Sequence, residues 1–413
     1  MKGLNVLKTP LILCSLCCAA LLSAEQSPSV AFLSELKEAQ FEQEAKKVEY
    51  ESDKLQRSIL EPIWLRYNMT KSNPSDVEQT AQSASVTIDQ PIFQSGGMLY
   101  ALKYAESTRS YGHDSIALQR KKMIKEAVSL LMQIRQAELM LRKQELLIAN
   151  AAMNVEQKSE QYRSGQLDST FLDQAIIEQN SLKQASFDIQ TNLKILVSTF
   201  KTMSDADYKS VPLPTLALAK QDDFIESNLE VRQLQSQREQ QRHFKGVTVA
   251  KYLPKVNLTA GYFWDSQENL VFGGGSSGIP PMSYEQDYYS YGLKVSMPLN
   301  VNTFNDIEVT QAEYLKTSLM LTDKKREQIA LYERVMHNIE NLENKIALAE
   351  SNRRLYEKLA QESRLLYEAG YKTAYDLQTL ENSAKIQRAE VDILTLDRQR
   401  ELLNLYEKSA DDL

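Results

Sequence analysis

The fold is decided by residues 367–377, which read Tyr-Glu-Ala-Gly-Tyr-Lys-Thr-Ala-Tyr-Asp-Leu. They lie in a segment, residues 299–413, that contains no proline and a single glycine, Gly370. Polar-faced helical sequence flanks this glycine on both sides, and glycine can end a helix in the left-handed conformation. Thr373 and Asp376 then stand where residues cap or begin a returning helix. The stretch therefore predicts a hairpin of two long helices.

The same turn occurs 205 residues earlier in the chain. Residues 162–172 read Tyr-Arg-Ser-Gly-Gln-Leu-Asp-Ser-Thr-Phe-Leu, with tyrosine, glycine and leucine at the same three places. Gly165 is the only glycine between Gly112 and Gly246. A repeat of this length indicates two copies of one structural unit. We expect a first repeat at 25–205, a connector at 206–220 and a second repeat at 221–410.

Each predicted repeat contains a strand hairpin and two long helices. Apolar Leu65 and Tyr67 alternate with polar Arg66 and Asn68, which is the period of a strand with one apolar face. Strands are predicted at 63–70, 83–90, 255–264 and 288–297, with polar loops at 71–81 and 265–287. Long helices are predicted at 98–161, 169–203, 306–366 and 374–408, and shorter ones at about 30–60 and 222–249. Four aromatic residues are expected on the apolar strand faces: Trp64, Tyr67, Tyr262 and Trp264.

The N-terminus has the pattern of an export signal. Lys2 and Lys8 precede an apolar run from Leu11 to Leu22, and small residues follow at 23–24. We therefore expect residues 1–24 to be a signal peptide. All three cysteines lie within it, so the mature chain would have no disulfide or thiolate metal site. Its net charge would be −9, since the removed segment takes two lysines and no acid from a total of −7. No basic face suited to nucleic acid is present.

Four strands of about nine residues have the length that crosses a bilayer at a tilt. Four strands cannot close a barrel, and an open edge in hydrocarbon would leave backbone groups unpaired. Bacterial barrels begin at about eight strands, so several chains would have to share one barrel, and three chains would give twelve strands. The alternative is a soluble strand hairpin at the end of a coiled coil.

The sequence contains no catalytic constellation. His113, His243 and His337 stand alone on helical stretches, and no pair has the spacing of a helical metal site. The glycine-rich run at 273–278 lacks the lysine and helix that a phosphate-binding loop requires. We expect a protein that is not an enzyme and that has no cofactor.

Short motifs recur where strands and helices meet. Residues 252–262 read Tyr-Leu-Pro-Lys-Val-Asn-Leu-Thr-Ala-Gly-Tyr, and residues 228–231 read Asn-Leu-Glu-Val. Residues 90–93 read Gln-Pro-Ile-Phe, and residues 297–300 read Met-Pro-Leu-Asn. Together with the paired Tyr-x-x-Gly turns, their order resembles the TolC family of outer-membrane efflux and secretion channels over residues 28–410. One departure is the leucine at 229, where the family motif Asn-Pro-Glu-Leu has proline.

The resemblance implies a fold that is mainly α with a small β part. Long antiparallel coiled-coil helices would form a periplasmic tunnel, and four strands per chain would contribute to a trimeric, twelve-stranded transmembrane β-barrel in outer-membrane lipid. The implied function is the exit duct of a tripartite efflux pump, working with a periplasmic adaptor (a membrane fusion protein) and an inner-membrane transporter. Two alternatives remain: the outer-membrane component of type I protein secretion, and a structural periplasmic coiled-coil or adaptor protein.

The resemblance also assigns candidate site residues. Asp376 matches a gate aspartate, Lys372 stands where an arginine ties the closed state, and Tyr367 matches a tyrosine of the same network. The family's second gate aspartate falls at Thr379 here. The first-repeat counterpart of the gate aspartate falls at Phe171, which would form an apolar constriction instead. The candidate adaptor contacts at the turns are Gly165, Gln166, Leu167, Gly370 and Tyr371. The strand residues expected to face the barrel lumen are Arg66, Asn68, Thr87, Asp89, Asn257, Thr259, Lys294 and Ser296.

Overall fold

The computed structural model describes residues 32–73, 78–270 and 282–410. The predicted signal peptide, 1–24, and the glycine-rich part of the second strand hairpin lie outside the described residues. The helices are α1 (Glu35–Arg57), α2 (Gly97–Arg163), α3 (Ser169–Lys201), α4 (Gln221–Glu226), α5 (Leu229–Lys251), α6 (Thr303–Glu368) and α7 (Ala374–Tyr406). The strands are β1 (Trp64–Ser72), β2 (Gln79–Phe93), β3 (Lys255–Leu270) and β4 (Met282–Ser296).

The helices occur in pairs of matching length. Helices α2 and α6 have 67 and 66 residues, and α3 and α7 have 33 each. At 1.5 Å per residue, α2 and α6 are each about 100 Å long. We propose that the matched pairs are the two repeats, joined by the connector at 206–220, which is not helical.

One predicted helix is interrupted. The sequence pattern predicts one helix over 222–249, but α4 ends at Glu226 and α5 begins at Leu229. The reason is Asn228, whose side chain accepts hydrogen bonds from the backbone N–H groups of Glu230 and Val231. This is the geometry of an N-cap, so the asparagine begins a new helix instead of continuing the old one.

The four strands form one antiparallel sheet in the order β1-β2-β3-β4, with β1 and β4 at its edges. The strands run farther than predicted, into the expected loops at 71–81 and 265–287. Thr80 pairs with Glu268, and Asp265 pairs with Gln286. Polar side chains do not stop a ladder of backbone hydrogen bonds, which is why polarity alone placed the strand ends too early. Strand β2 also continues past Pro91, with a register shift between Pro91 and Phe93.

The register separates the sheet into two faces, and it corrects the prediction for Trp64. Residues paired directly across an antiparallel ladder share a face. Tyr67 pairs with Ala84 and thus lies with Trp264 and Tyr262 on the apolar face. Trp64 instead pairs with Thr87 on the opposite face. The reason is that residues two apart on a strand share a face, so Trp64 lies on the same face as Arg66. The Arg66 guanidinium accordingly lies 5.5 Å from the Trp64 ring centroid.

Helix α2 is the centre of the helical part. It packs against α1, α3, α5 and α7, while α6 packs against α4, α5 and α7. The core includes buried Leu131 and Ile134 on α2 and Leu402 and Leu403 on α7. The order of packing is therefore α3, α2, α7, α6, with α3 and α6 at the two ends.

Candidate functional site

Both helical turns have the same backbone geometry. Gly165 and Gly370 have φ values of +74° and +79°, in the left-handed region. The N–H of Gly165 donates to the Tyr162 carbonyl at 3.0 Å, and the N–H of Gln166 donates to the Gln161 carbonyl at 2.8 Å. The second turn repeats both bonds, which are those of a Schellman motif. Two glycines 205 residues apart thus end equivalent long helices.

The helix that follows each turn begins with a carboxylate. Asp168 caps α3 by accepting from the Thr170 N–H, and Thr373 caps α7. The Asp376 carboxylate accepts from the Thr373 N–H at 3.0 Å and from the Thr373 hydroxyl at 2.7 Å. These bonds complete a capping box, since the Asp376 N–H donates to the Thr373 hydroxyl at 3.2 Å.

These contacts set the charge of both carboxylates. The Thr373 hydroxyl and N–H hold the pKa of Asp376 below its ordinary value, and the Lys372 ammonium lowers it further. The Thr170 N–H and the hydroxyls of Ser169 and Thr170 lower the pKa of Asp168. Each turn therefore carries a carboxylate that stays ionised at neutral pH.

The structure places the four candidate gate residues on two hairpins. Tyr367, Lys372 and Asp376 belong to the α6–α7 turn, where Tyr367 is exposed and Lys372 is half-buried. Phe171 lies in the first turn of α3, with 51% of its surface exposed. The five candidate tip residues lie at the turns themselves, with Tyr371 81% exposed and Leu167 half-buried.

Side chains outside the predicted site residues connect α7 to α2 near the turn. Burial, followed by the Glu156 and Glu160 carboxylates of α2, raises the pKa of Tyr375. Farther along, the Asn382 amide donates to the Asn150 side chain at 2.8 Å. Lys143 then pairs with Glu390 at 2.6 Å. Such contacts join residues more than 200 positions apart, and nothing in the local sequence pattern signals them.

All eight predicted lumen residues lie on one face of the sheet. Arg66 pairs with Ser85, Asp89 with Thr259 and Asn257 with Lys294, and the intervening residues follow by alternation. The Asn257 amide donates to the Asp89 carboxylate at 2.5 Å, and the Lys294 ammonium lies 3.6 Å from the same carboxylate. The structure therefore assembles a polar cluster that spans β2, β3 and β4.

The opposite face is apolar and exposed in the single chain. Tyr289, Tyr291, Leu293 and Val295 on β4 are between 68% and 81% exposed. Toward the hairpin loops this face becomes polar, and aromatic side chains stand at the transition. There Trp264 donates to Glu285 at 2.7 Å, and Tyr262 donates to Asp287 at 2.9 Å. An apolar band bordered by aromatic residues is the pattern of a strand face in contact with lipid.

No helix among the described residues is long and apolar enough to cross a bilayer. In the same residues, no group of three or more histidine, cysteine, aspartate or glutamate side chains is arranged to hold a metal ion.

The fold is that of the TolC family of outer-membrane channels, as the sequence resemblance predicts. The outer-membrane protein VceC of Vibrio cholerae superposes with a TM-score of 0.70 at 14% identity, covering 90% of this chain and 93% of its own. The outer-membrane channel CmeC of Campylobacter jejuni has a TM-score of 0.67 at 11% identity, covering 92% of this chain and 83% of its own. The open state of the Neisseria gonorrhoeae channel MtrE has a TM-score of 0.59 at 12% identity, covering 90% of this chain and 85% of its own. No protein-family model and no curated protein matches the sequence.

Proposed function

We propose that the protein is an outer-membrane exit duct, in which three copies share one barrel and conduct cargo passively out of the cell. The observation that carries the proposal is the sheet. Its two outer strands, β1 and β4, have no partner on one side among the described residues, and it has one apolar and one polar face. Solved structures with this fold include the outer-membrane channels CmeC and MtrE.

The open edges require a closed assembly. A membrane sheet cannot leave backbone N–H and C=O groups unpaired in hydrocarbon, because each such group costs several kcal/mol. Joining β4 of one copy to β1 of the next satisfies both edges, and three copies give a twelve-stranded barrel. The polar face with Asn257, Asp89 and Lys294 then lines the lumen, while the apolar face contacts lipid.

The long helices suit a tunnel across the periplasm, since α2 and α6 are each about 100 Å long. The turns at Gly165 and Gly370 would lie at its inner end. There, Gly165, Gln166, Leu167, Gly370 and Tyr371 would contact a periplasmic adaptor of an inner-membrane pump. The pump would supply the energy, because the duct has no role in catalysis in this proposal.

The proposed gate lies just inside the second turn. Three copies of the Asp376 carboxylate around one axis would form a negative ring that attracts cations. Lys372 provides a cation beside this ring but without the two-pronged geometry of arginine. Tyr367 would belong to the same network, and Phe171 of the first turn would add an apolar constriction.

The experiment that tests the duct is extraction of the outer-membrane fraction into mild detergent, followed by gel migration with and without heating and by mass measurement. A heat-sensitive trimer in that fraction is the expected result. A water-soluble monomer or dimer in the periplasm would instead support the structural coiled-coil protein. Type I protein secretion would use the same duct, so the two functions differ only in their cargo. If the duct serves secretion, a strain lacking the gene should retain a secreted protein but should not accumulate small molecules.

A further inference from the structure

Four aromatic side chains lie on the polar face of the sheet. Trp64, Phe263 and Tyr288 stand in two adjacent rows, which we call the aromatic layer. The fourth, Tyr284, pairs with Gln267 and is separated from this layer by the row that contains Asn68 and Asp265. Phe263 pairs with Tyr288, and their rings stack with centroids 5.0 Å apart and planes 17° apart. Trp64 lies one row nearer the helices, in the row that contains Gly261. All three therefore share the face that carries Asn257 and Asp89, opposite the lipid-facing band.

The layer is confined to two rows and is flanked by polar rows. On the loop side, Asn68 and Asp265 belong to the next row, and on the helix side, Asp89 pairs with Thr259. The side chains keep accessible surface, with Trp64 52% and Tyr288 44% exposed. A flat solute that moves along this face would meet three rings in these two rows, and only the single ring of Tyr284 farther toward the loop.

Phe263 is held in place by a glycine. A Cβ added to Gly261 would lie 2.7 Å from the Phe263 ring, so this ring rests directly on the Gly261 backbone. Its stacking with Tyr288 fixes it from the other side. The rings are thus preorganised, and a solute that stacks on them has little side-chain order to impose.

Charge does not explain the layer. Arg66 and Lys294 share the face with Asp89 and Asp265, so cations and anions are interspersed around the rings. The Arg66 guanidinium lies over Trp64 itself. What distinguishes these two rows from their neighbours is flat aromatic surface, which attracts other flat aromatic groups by stacking.

We infer that the aromatic layer is a selectivity element of the barrel, which retains planar aromatic solutes during their passage. The inference rests on the proposed duct. Three residues in each of three copies would place nine aromatic side chains in two adjacent rows of the lumen. Aromatic cargo would be held there transiently, and aliphatic cargo of the same charge would pass without delay.

The test is single-channel recording of the full-length protein in planar bilayers, with two probes of equal charge. Proflavine is a planar aromatic cation, and tetrapropylammonium is an aliphatic one. We expect proflavine to cause resolvable blockades in the unaltered channel and tetrapropylammonium to cause much briefer ones. Tyr288→Ala should shorten the proflavine blockades about five- to ten-fold, the effect of losing one stacking partner. Tyr288→Phe should leave them unchanged.

The matched control is Tyr289→Ala, which removes the same side chain one position away on the lipid-facing side. It should leave the blockades unchanged. If Tyr288→Ala forms no channels, Phe263→Leu tests the same stacked pair. Proflavine blockades of equal length in Tyr288→Ala and the unaltered channel would overturn the inference while leaving the duct intact. Absence of any channel from the unaltered protein would overturn the duct itself.

Discussion

At each helical turn, the glycine is required by backbone conformation and not by lack of space. Gly165 and Gly370 have positive φ, yet no atom lies within 4 Å of the position a Cβ would take at either glycine. Gly261 is the opposite case: its φ is ordinary, but a Cβ at this position would be crowded by the Phe263 ring, so lack of space requires the glycine. The same residue type thus has two different physical roles in one chain.

Gly370→Ala should destabilise the protein by about 1–2 kcal/mol, the cost of forcing a side chain into the left-handed conformation. Gly370→Asn should cost less, because asparagine tolerates that conformation. The measurement is the thermal unfolding midpoint followed by circular dichroism. Gly292→Ala is the control, since its nearest neighbour would lie 3.8 Å from the new Cβ and its φ is not positive. Equal midpoints for the alanine and asparagine variants would contradict this account.

The gate proposal makes a prediction about pH. The pKa of Asp376 lies below the ordinary aspartate value of about 4, so its charge should persist as pH falls from 7 to 4 and disappear only below that. The stabilisation from the capping box follows the same sign, because it is present above the unfolded-state pKa and is lost as pH falls through the folded one. Cation preference in bilayer recordings should therefore be constant above pH 4. A titration centred near pH 6 that persists in Asp376→Asn would point to another group.

Replacing the carboxylate tests the same assignment directly. Asp376→Ala should raise conductance and reduce cation preference, and Asp376→Asn should reduce cation preference while preserving an acceptor for the Thr373 N–H. Asp168→Asn in the first turn is the matched control, because this carboxylate also accepts a hydrogen bond at the start of a helix but lies outside the proposed ring. Unchanged conductance and selectivity in Asp376→Ala would remove Asp376 from the gate.

Gly261→Ala should disturb the barrel, because the new Cβ would overlap the Phe263 ring and push it toward the lumen. Overpacking of this kind costs about 1–3 kcal/mol. We expect a lower trimer dissociation temperature on gels and a lower conductance. Adding Phe263→Ala should restore the conductance, and Gly292→Ala on the next strand should have little effect. A conductance that the second substitution does not restore would show that Phe263 is not the group displaced.

At the scale of whole elements, the sequence predicts the strands and helices well but not all of their ends. Gly165 and Gly370 mark the helical turns because no other glycine is near them. The strands extend beyond the predicted bounds because Thr80 and Glu268 continue the ladder with polar side chains. Residues two apart on a strand share a face, so the alternation itself places Trp64 with Arg66, and the register agrees with it. The contacts of α7 with α2 depend on packing between distant helices, which local patterns do not contain.

Two neighbouring residues of strand β4 are about equally exposed in the single chain but should differ in the assembled barrel. Leu293 is 68% exposed and the Lys294 side chain is 61% exposed in the single chain. In a membrane-embedded trimer, Leu293 should face lipid and Lys294 should face the water-filled lumen. Lys294→Cys should therefore react with a charged, water-soluble thiol reagent at least about ten-fold faster than Leu293→Cys, since a charged reagent is excluded from hydrocarbon. Similar rates would show that β4 is not at the lipid boundary.

At the scale of the whole molecule, both parts of the chain have unsatisfied sides. The sheet ends at β1 and β4, and the helical layer ends at α3 and α6. These end helices carry exposed apolar residues, including Ile177 and Phe187 on α3 and Leu348 and Leu365 on α6. Surfaces that differ at the two ends join head to tail, which closes a ring when the rotation allows it. One arrangement of copies would cover both the strand edges and the helix faces.

Cross-linking tests this closure, because β1 and β4 lie at opposite edges within one chain but would be neighbours between copies. Asn68 and Gln286 belong to the same row on the polar face, three strand spacings or about 14 Å apart. A chain carrying both Asn68→Cys and Gln286→Cys, treated in membranes with a short bis-maleimide, should give dimers and trimers on a denaturing gel. The two single variants should give monomers. Products that stop at dimers would indicate a two-fold assembly, a ladder beyond trimers would indicate a larger or open ring, and monomers alone would show that β1 and β4 of different copies do not meet.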